Sequence, residues 1–347
     1  MSSPKVGLVL GGGGVMGGAW MTGALEALAR ASGWFPGDAE YVVGTSAGAM
    51  IGALTACGVP AWFMVAHSAG EIFDGLADQE GRPVSTADRS AGAVFKLARE
   101  MPKLGPASLR LALSGRSLAA RLAGLGPEGL LSTEPLKEII RRSVPRGWAP
   151  HPNLWITGTD YARGERVVFG REGSPAADLA DAVAASCAIP SFYRPVRIDG
   201  RRYVDGGLHS ASNLDLLSGL GLDLAICLNP LSTQRRSAGA LLHVRIWDRV
   251  RQGAIRKVRS EAALLAREGV RVLLLEPIHR DLEVMGVNFM SRRRRHQVIE
   301  TAIETVGRQL RGQRPRELLQ GLPPAPEWKL RRPAGEPSTW DPGVLRR

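Results

Sequence analysis

Three stretches of this chain carry residue types that, brought together, would suit acyl transfer. Gly44-Thr45-Ser46-Ala47-Gly48 sets a serine between two glycines in the G-x-S-x-G pattern. A serine hydroxyl is a weak nucleophile until a neighbouring base takes its proton and a tight turn presents it. Asp205-Gly206-Gly207 places a carboxylate ahead of a glycine pair, which makes Asp205 a candidate base as well as an ordinary turn residue. Gly11-Gly12-Gly13-Gly14-Val15-Met16-Gly17-Gly18 is a glycine run whose successive backbone N–H groups can converge on one negative atom.

The elements that must position these residues are legible around them. Tyr41-Val42-Val43 reads as the end of a buried strand, and Ala47 to Ala56 as a helix rich in small residues. Strand, tight turn and helix form the context in which G-x-S-x-G becomes a nucleophile elbow: glycines at 44 and 48 remove clashes, and the helix N-terminus faces the serine oxygen. Lys5 to Leu10 reads as a strand feeding the glycine run, and Ala19 to Ala31 as the helix after it. Three uses of that run compete. Gly12-x-Gly14-x-x-Gly17 fits a dinucleotide fingerprint, but no acidic residue closes the next strand, which ends in Gly44-Thr45-Ser46. A P-loop needs Lys-Ser/Thr after its last glycine, where Gly18-Ala19 stands. An oxyanion hole suits best, because parallel strands bring both turns to one carboxyl edge. Val196 to Ile198 and Arg202 to Val204 read as a hairpin across Asp199-Gly200, with Asp205 leaving its second strand.

These pieces, with Ala184-Ala185-Ser186-Cys187-Ala188-Ile189-Pro190-Ser191-Phe192-Tyr193 between them, make the chain resemble the patatin-like phospholipase family over roughly residues 5 to 280. The resemblance implies a three-layer α/β/α fold with a mainly parallel central sheet and a helical insertion. It implies lipid acyl hydrolysis without calcium or another cofactor, through a Ser–Asp dyad. Family roles map onto Ser46 as nucleophile, Asp205 as base and Gly12, Gly13 and Gly14 as the oxyanion hole, with Gly17, Gly44, Gly48, Gly206 and Gly207 supporting the motifs. Many members carry Arg or Lys in the glycine run where Met16 stands here, which bears on headgroup preference. The internal rival is a Ser-His-Asp triad. His209 lies too close to Asp205 in sequence for an independent arm; His243 and His279 stay open. The rivals from other classes are a silent lipid- or protein-binding scaffold and a nucleotide-dependent enzyme.

Composition sets the outer bounds. At 347 residues, 44% of them hydrophobic, the chain holds a large α/β domain. The expected organisation is a catalytic domain over 1–280, a helical insertion or lid over 82–130, a helical extension over 281–314 and a disordered Pro/Arg-rich tail over 315–347. Within the insertion, Ala93 to Arg99 and Leu109 to Leu113 read as short helical pieces. Further helices are expected from Asn213 and over His243 to Leu265, and another from the Arg292-Arg293-Arg294-Arg295 run to about Leu310. Cys57, Cys187 and Cys227 read as free thiols, and no His/Cys cluster suggests a metal. No stretch reaches about 18 apolar residues and no leader is evident, so a cytoplasmic or membrane-peripheral setting is expected. A net charge of +12 favours an anionic membrane surface. Aromatics at 5% and no recognition motif argue against specific nucleic-acid binding.

Overall fold

The computed structural model describes residues 3–69, 96–98, 124–144, 146–232 and 242–325, with Lys96 and 242–251 described in backbone alone. Most of the expected insertion therefore lies outside the described residues, as does the chain after 325.

Short apolar runs that alternate between two faces build the sheet. β1 (Val6–Leu10), β2 (Tyr41–Gly44), β5 (Leu154–Asp160), β9 (Leu224–Leu228) and β10 (Arg271–Leu275) lie parallel in the order β10-β9-β1-β2-β5. Leu8, Leu10, Val42, Leu154, Ile156, Ile226 and Leu273 point to one face. Val9, Val43, Trp155, Ala225 and Cys227 point to the other. Strands buried on both sides are apolar throughout, which is why they read as continuous runs. The first face is covered by α1 (Gly14–Ser32), α2 (Ala47–Ala56), α4 (Glu134–Arg141), α5 (Leu179–Ser186) and α8 (Arg295–Leu310); the second by the turn Leu214–Leu217 and α6 (Leu242–Arg267). The result is helix, sheet, helix, as expected of this α/β class.

The antiparallel part carries Asp205. β6 (Arg166–Phe169) pairs with β5, and so does β8 (Arg201–Asp205), which forms a hairpin with β7 (Val196–Ile198). Ile156 has Gly44 on one side and Phe169 on the other, while Gly158 has Val167 and Asp205. β6 thus occupies one edge of β5, and β2 and β8 share the opposite edge end to end. This register puts Asp205 just past the carboxyl end of β2, where the elbow begins. The hairpin turn is Asp199 and Gly200 with φ of 48° and 71°, the positive pair that a two-residue hairpin requires.

The structure differs from the sequence reading in five places. α1 begins at Gly14, inside the glycine run, because the helix takes its first turn from Gly14 to Gly17. Lys96–Leu97 (β3) pairs with Leu131–Ser132 (β4) instead of forming a helix. Asn213 sits in the left-handed region at φ 54° and precedes a 3₁₀ turn, not an α-helix. Helices after residue 280 are not a separate layer: α7 (His279–Met285) and α8 pack with α1 in one core that includes Val298, Ile299, Ala302 and Val306. The expected disordered tail from 315 begins instead with α9 (Gln313–Leu319), and Leu319 and Leu322 are buried. α3 (Ala61–Ala69) follows α2 at a bend of 120°, and no single described helix is long and apolar enough to cross a membrane.

Candidate active site

Ser46 stands between β2 and α2 with φ 54° and ψ −122°. A non-glycine residue there is strained, at a cost of about 1–3 kcal/mol, and persists only where its surroundings fix it. The Ser46 N–H donates to Ser186 Oγ at 2.8 Å. Its carbonyl accepts from Ala49 N–H at 2.8 Å and from Cys187 Sγ at 3.1 Å. The flanking glycines are steric necessities. A Cβ on Gly48 would meet the Leu10 carbonyl oxygen at 2.0 Å, and one on Gly44 would meet Ala49 Cα at 2.6 Å.

Asp205 closes β8. Its N–H donates to the Ala188 carbonyl at 3.1 Å and its own carbonyl accepts from Thr159 Oγ1 at 3.0 Å. Oδ1 accepts the Gly207 N–H at 2.7 Å, and the Ser46 side chain lies beside the same carboxyl. Burial pushes the carboxyl up to about 6, against the opposing pull of the Ser46 side chain and the Gly207 N–H. Ser186, Cys187 and Ala188 therefore brace both members of the pair, one through its turn and one through its backbone. Gly206 is forced by the same crowding, since a Cβ there would lie 2.4 Å from Thr157 Oγ1.

The glycine run lies beside Ser46, but it does not offer three donors. Gly12 approaches the serine closely enough that a Cβ on it would sit 3.4 Å from Ser46 Cβ. Its N–H, however, donates to the Ala211 carbonyl at 2.8 Å and is already occupied in this state. That bond joins residues far apart in the chain and has no local signature. Among the described residues no acceptor takes the N–H of Gly13 or Gly14, at the start of α1. Gly13 and Gly17 pack against Pro230, with would-be Cβ contacts of 2.7 and 3.0 Å to its ring. Gly18 and Ala47 are neighbours, so the N-termini of α1 and α2, both electropositive, face the same place.

The model of the Patatin-like phospholipase family matches residues 8–218, a span that holds the glycine run, the elbow and Asp205. The chain belongs to the patatin-like phospholipase family. It is also 25% identical over 289 residues to a protein of Streptomyces griseus subsp. griseus named "Probable DNA ligase". That match covers 78% of this chain and 53% of the relative, so the chain spans about half of that protein's length.

Beneath the patatin elbow runs a buried polar network that the sequence reading did not find. Thr45 Oγ1 and Thr157 Oγ1 are 2.9 Å apart, and Asn213 Nδ2 donates to Thr45 Oγ1 at 3.0 Å. Arg166 donates to Asn213 Oδ1 at 3.1 Å and to Asp215 at 2.8 Å. Glu261 of α6 accepts from Ser212 Oγ at 2.5 Å and from Leu214 N–H at 3.0 Å. The loop 210–214 is thereby tied to α6 on one side. On the other it holds Gly12 through Ala211 and the elbow through Asn213. Asn is the side chain most at home in the left-handed region, and that was the available signal.

Other expectations fall out as follows. Met16, where many patatin-like chains are basic, is 1% exposed and lies in the core; its N–H donates to Phe289 O at 3.0 Å. His279 pairs with Glu283 on the exposed face of α7, and the side chain of His243 lies outside the described residues. Tyr193 is 2% exposed and belongs to the core, stacked edge-on against Phe192 at 5.0 Å. All three cysteines are free thiols, raised by burial, Cys57 to about 12 and the other two well above the usual range. No group of metal-ligating side chains occurs among the described residues.

Proposed function

We propose that the chain is a serine lipid acyl hydrolase in which Ser46 and Asp205 act as a dyad. The observation that carries this reading is one juxtaposition: a serine held in a strained turn at a helix N-terminus, beside the buried carboxyl of Asp205. A carboxylate at about 6 is largely ionised at pH 7 and is a better base than one in water. Ser46 Oγ attacks the ester carbonyl carbon while its proton passes to Asp205. The carbonyl electron pair moves onto oxygen, and that oxyanion takes the N–H groups of Gly13 and Gly14. Each such donor is worth about 3 kcal/mol in comparable acyl-transfer sites. Collapse expels the alcohol, which receives the proton from Asp205. Water, activated by the same carboxylate, then hydrolyses the acyl-enzyme.

Membership of the family and the positive net charge support a lipid ester at an anionic surface as the substrate. The decisive experiment treats the pure chain with a fluorophosphonate and maps the adduct by mass spectrometry. Labelling on Ser46, abolished in Ser46→Ala, is expected. An unlabelled Ser46 in the presence of anionic lipid vesicles would leave a binding scaffold of the same fold.

A further inference from the structure

One corner of the molecule carries cations with no counter-charge. Arg292 and Arg295 flank the start of α8 and are half-buried. Arg295 donates from Nε to Ser68 Oγ at 3.1 Å, a neutral partner on α3. His67, next to it, has a buried Nδ1 without a hydrogen bond. Burial lowers the His67 pKa, and the charges of Arg295 and Arg142 lower it further, so all three groups share one electrostatic neighbourhood. Arg295 is itself lowered by burial and then by Arg292. No carboxylate among the described residues pairs with Arg142, Arg292 or Arg295, although ten other lysines and arginines do find one. Half-buried like charges are costly unless something anionic sits among them.

The same segment touches the glycine run. Phe289 O accepts the Met16 N–H, and a Cβ on Gly14 would meet Phe289 O at 2.9 Å and Met290 Sδ at 3.0 Å. Arg292 follows Met290 by two residues, so its Cα lies within about 7 Å of Met290 Cα. The cations thus stand a short distance along the chain from the Phe289–Met290 segment that touches Gly14.

We propose that Arg292 and Arg295, with His67 and Arg142 beside them, bind the phosphoryl group of an anionic phospholipid whose ester lies at Ser46. The proposal rests on the hydrolase reading for the ester and on the arginine corner for the phosphate. Guanidinium forks suit a phosphate bidentately, and a neutral imidazole adds a donor.

The test has two arms. In the Ser46→Ala chain, where no turnover occurs, monomeric short-chain phosphatidic acid is expected to raise Tm, and the matching diacylglycerol is not. The Arg292→Gln/Arg295→Gln double variant should weaken that phosphatidic acid binding by about 10-fold or more, the usual effect of losing charge-assisted hydrogen bonds. In the native chain the ratio of kcat/KM for phosphatidic acid over diacylglycerol should fall by a similar factor in the double variant. Arg292→Lys/Arg295→Lys should recover most of it. A ratio unchanged by the Gln pair would overturn the proposal, as would Lys variants no better than Gln. Inorganic phosphate separates the sources: if it raises Tm through these arginines while phosphatidic acid does not, the corner is a free-phosphate site and the headgroup proposal fails. If no ester is cleaved at all, the hydrolase reading falls, yet the Ser46→Ala arm still decides this one.

Discussion

Two glycine turns meet at the carboxyl edge of the sheet, and glycine serves each of them differently. At the elbow the glycines are there because backbone runs into backbone: Gly48 against the Leu10 carbonyl, Gly44 against Ala49. The one residue with the awkward dihedral is the serine, and its strain is held by Ser186, Cys187 and the first turn of α2. In the N-terminal run the glycines carry the unusual conformation themselves, Gly14 at φ 61°, and pack against a proline ring. One turn spends its rigidity on aiming a side chain. The other keeps main-chain N–H groups uncovered, and only for Gly13 and Gly14, since Gly12 is already held by Ala211. The proposed nucleophile and the proposed oxyanion donors therefore depend on different interactions, and substitutions should separate them.

The largest effect is expected on the elbow side. Asp205→Asn removes the base but keeps the shape, so kcat/KM should drop on the order of 10³-fold, about 4 kcal/mol. The same variant should gain stability at neutral pH. A carboxyl raised from an ordinary 3.8 to about 6 is destabilising when ionised: its contribution is full below about 4 and lost as pH rises through 6. Asn at 205 should thus raise Tm at pH 7.5, by the equivalent of up to about 3 kcal/mol, and the advantage should vanish near pH 4. In the unsubstituted chain the acid limb of kcat/KM should fall with an apparent pKa near 6. A limb below 5, or a Tm difference that ignores pH, would break the link between burial and base strength.

Next comes Gly48→Ala. Its Cβ would overlap the Leu10 oxygen and carbonyl carbon, at 2.0 and 2.4 Å, with no flexible side chain to give way. Overpacking of this kind costs about 3 kcal/mol or more, visible as a large fall in the urea midpoint. Asn213→Ala should cost less, about 1–3 kcal/mol, by removing the buried hydrogen bonds to Thr45 and Arg166. Since Asn213 supports both turns, its loss should also lower kcat, whereas an Asn213→Asp change restores one acceptor but not the donor to Thr45.

These cases show where the sequence was informative. Buried parallel strands are apolar without interruption, the elbow has its own steric code, and the Asp199-Gly200 turn follows from two positive φ values, so β1, β2, β5, β9, β10 and the hairpin were legible. Ser46 and Asp205 could be singled out because each sits in such a local code. The Gly12–Ala211 bond, the Ser186 brace and the Glu261 tether were not, because each joins residues tens to hundreds of positions apart. The end-to-end sharing of one β5 edge by β2 and β8 is likewise a matter of pairing, invisible to periodicity. The helix of α8 is legible from its Arg-rich start, but its seat is not: Val298, Ile299, Ala302 and Val306 form the stripe that packs it on α1.

Gly12→Ala should have the smallest effect, and it probes the contrast most finely. The added methyl meets only Ser46 Cβ at 3.4 Å and two carbonyl oxygens at 3.8 and 3.9 Å, which are ordinary contacts. The backbone bond to Ala211 is untouched, so Tm should shift by the equivalent of less than about 1 kcal/mol, the range of a substitution that creates no clash. If Gly12 only supports the loop, fluorophosphonate labelling of Ser46 should slow by no more than a few fold. If labelling instead falls as far as in an oxyanion-donor loss, about 10²-fold, then the Ala211 bond must open during turnover and Gly12 must join Gly13 and Gly14. The paired measurement, stability against labelling rate on one methyl group, distinguishes a turn that is rigid throughout the reaction from one that rearranges within it.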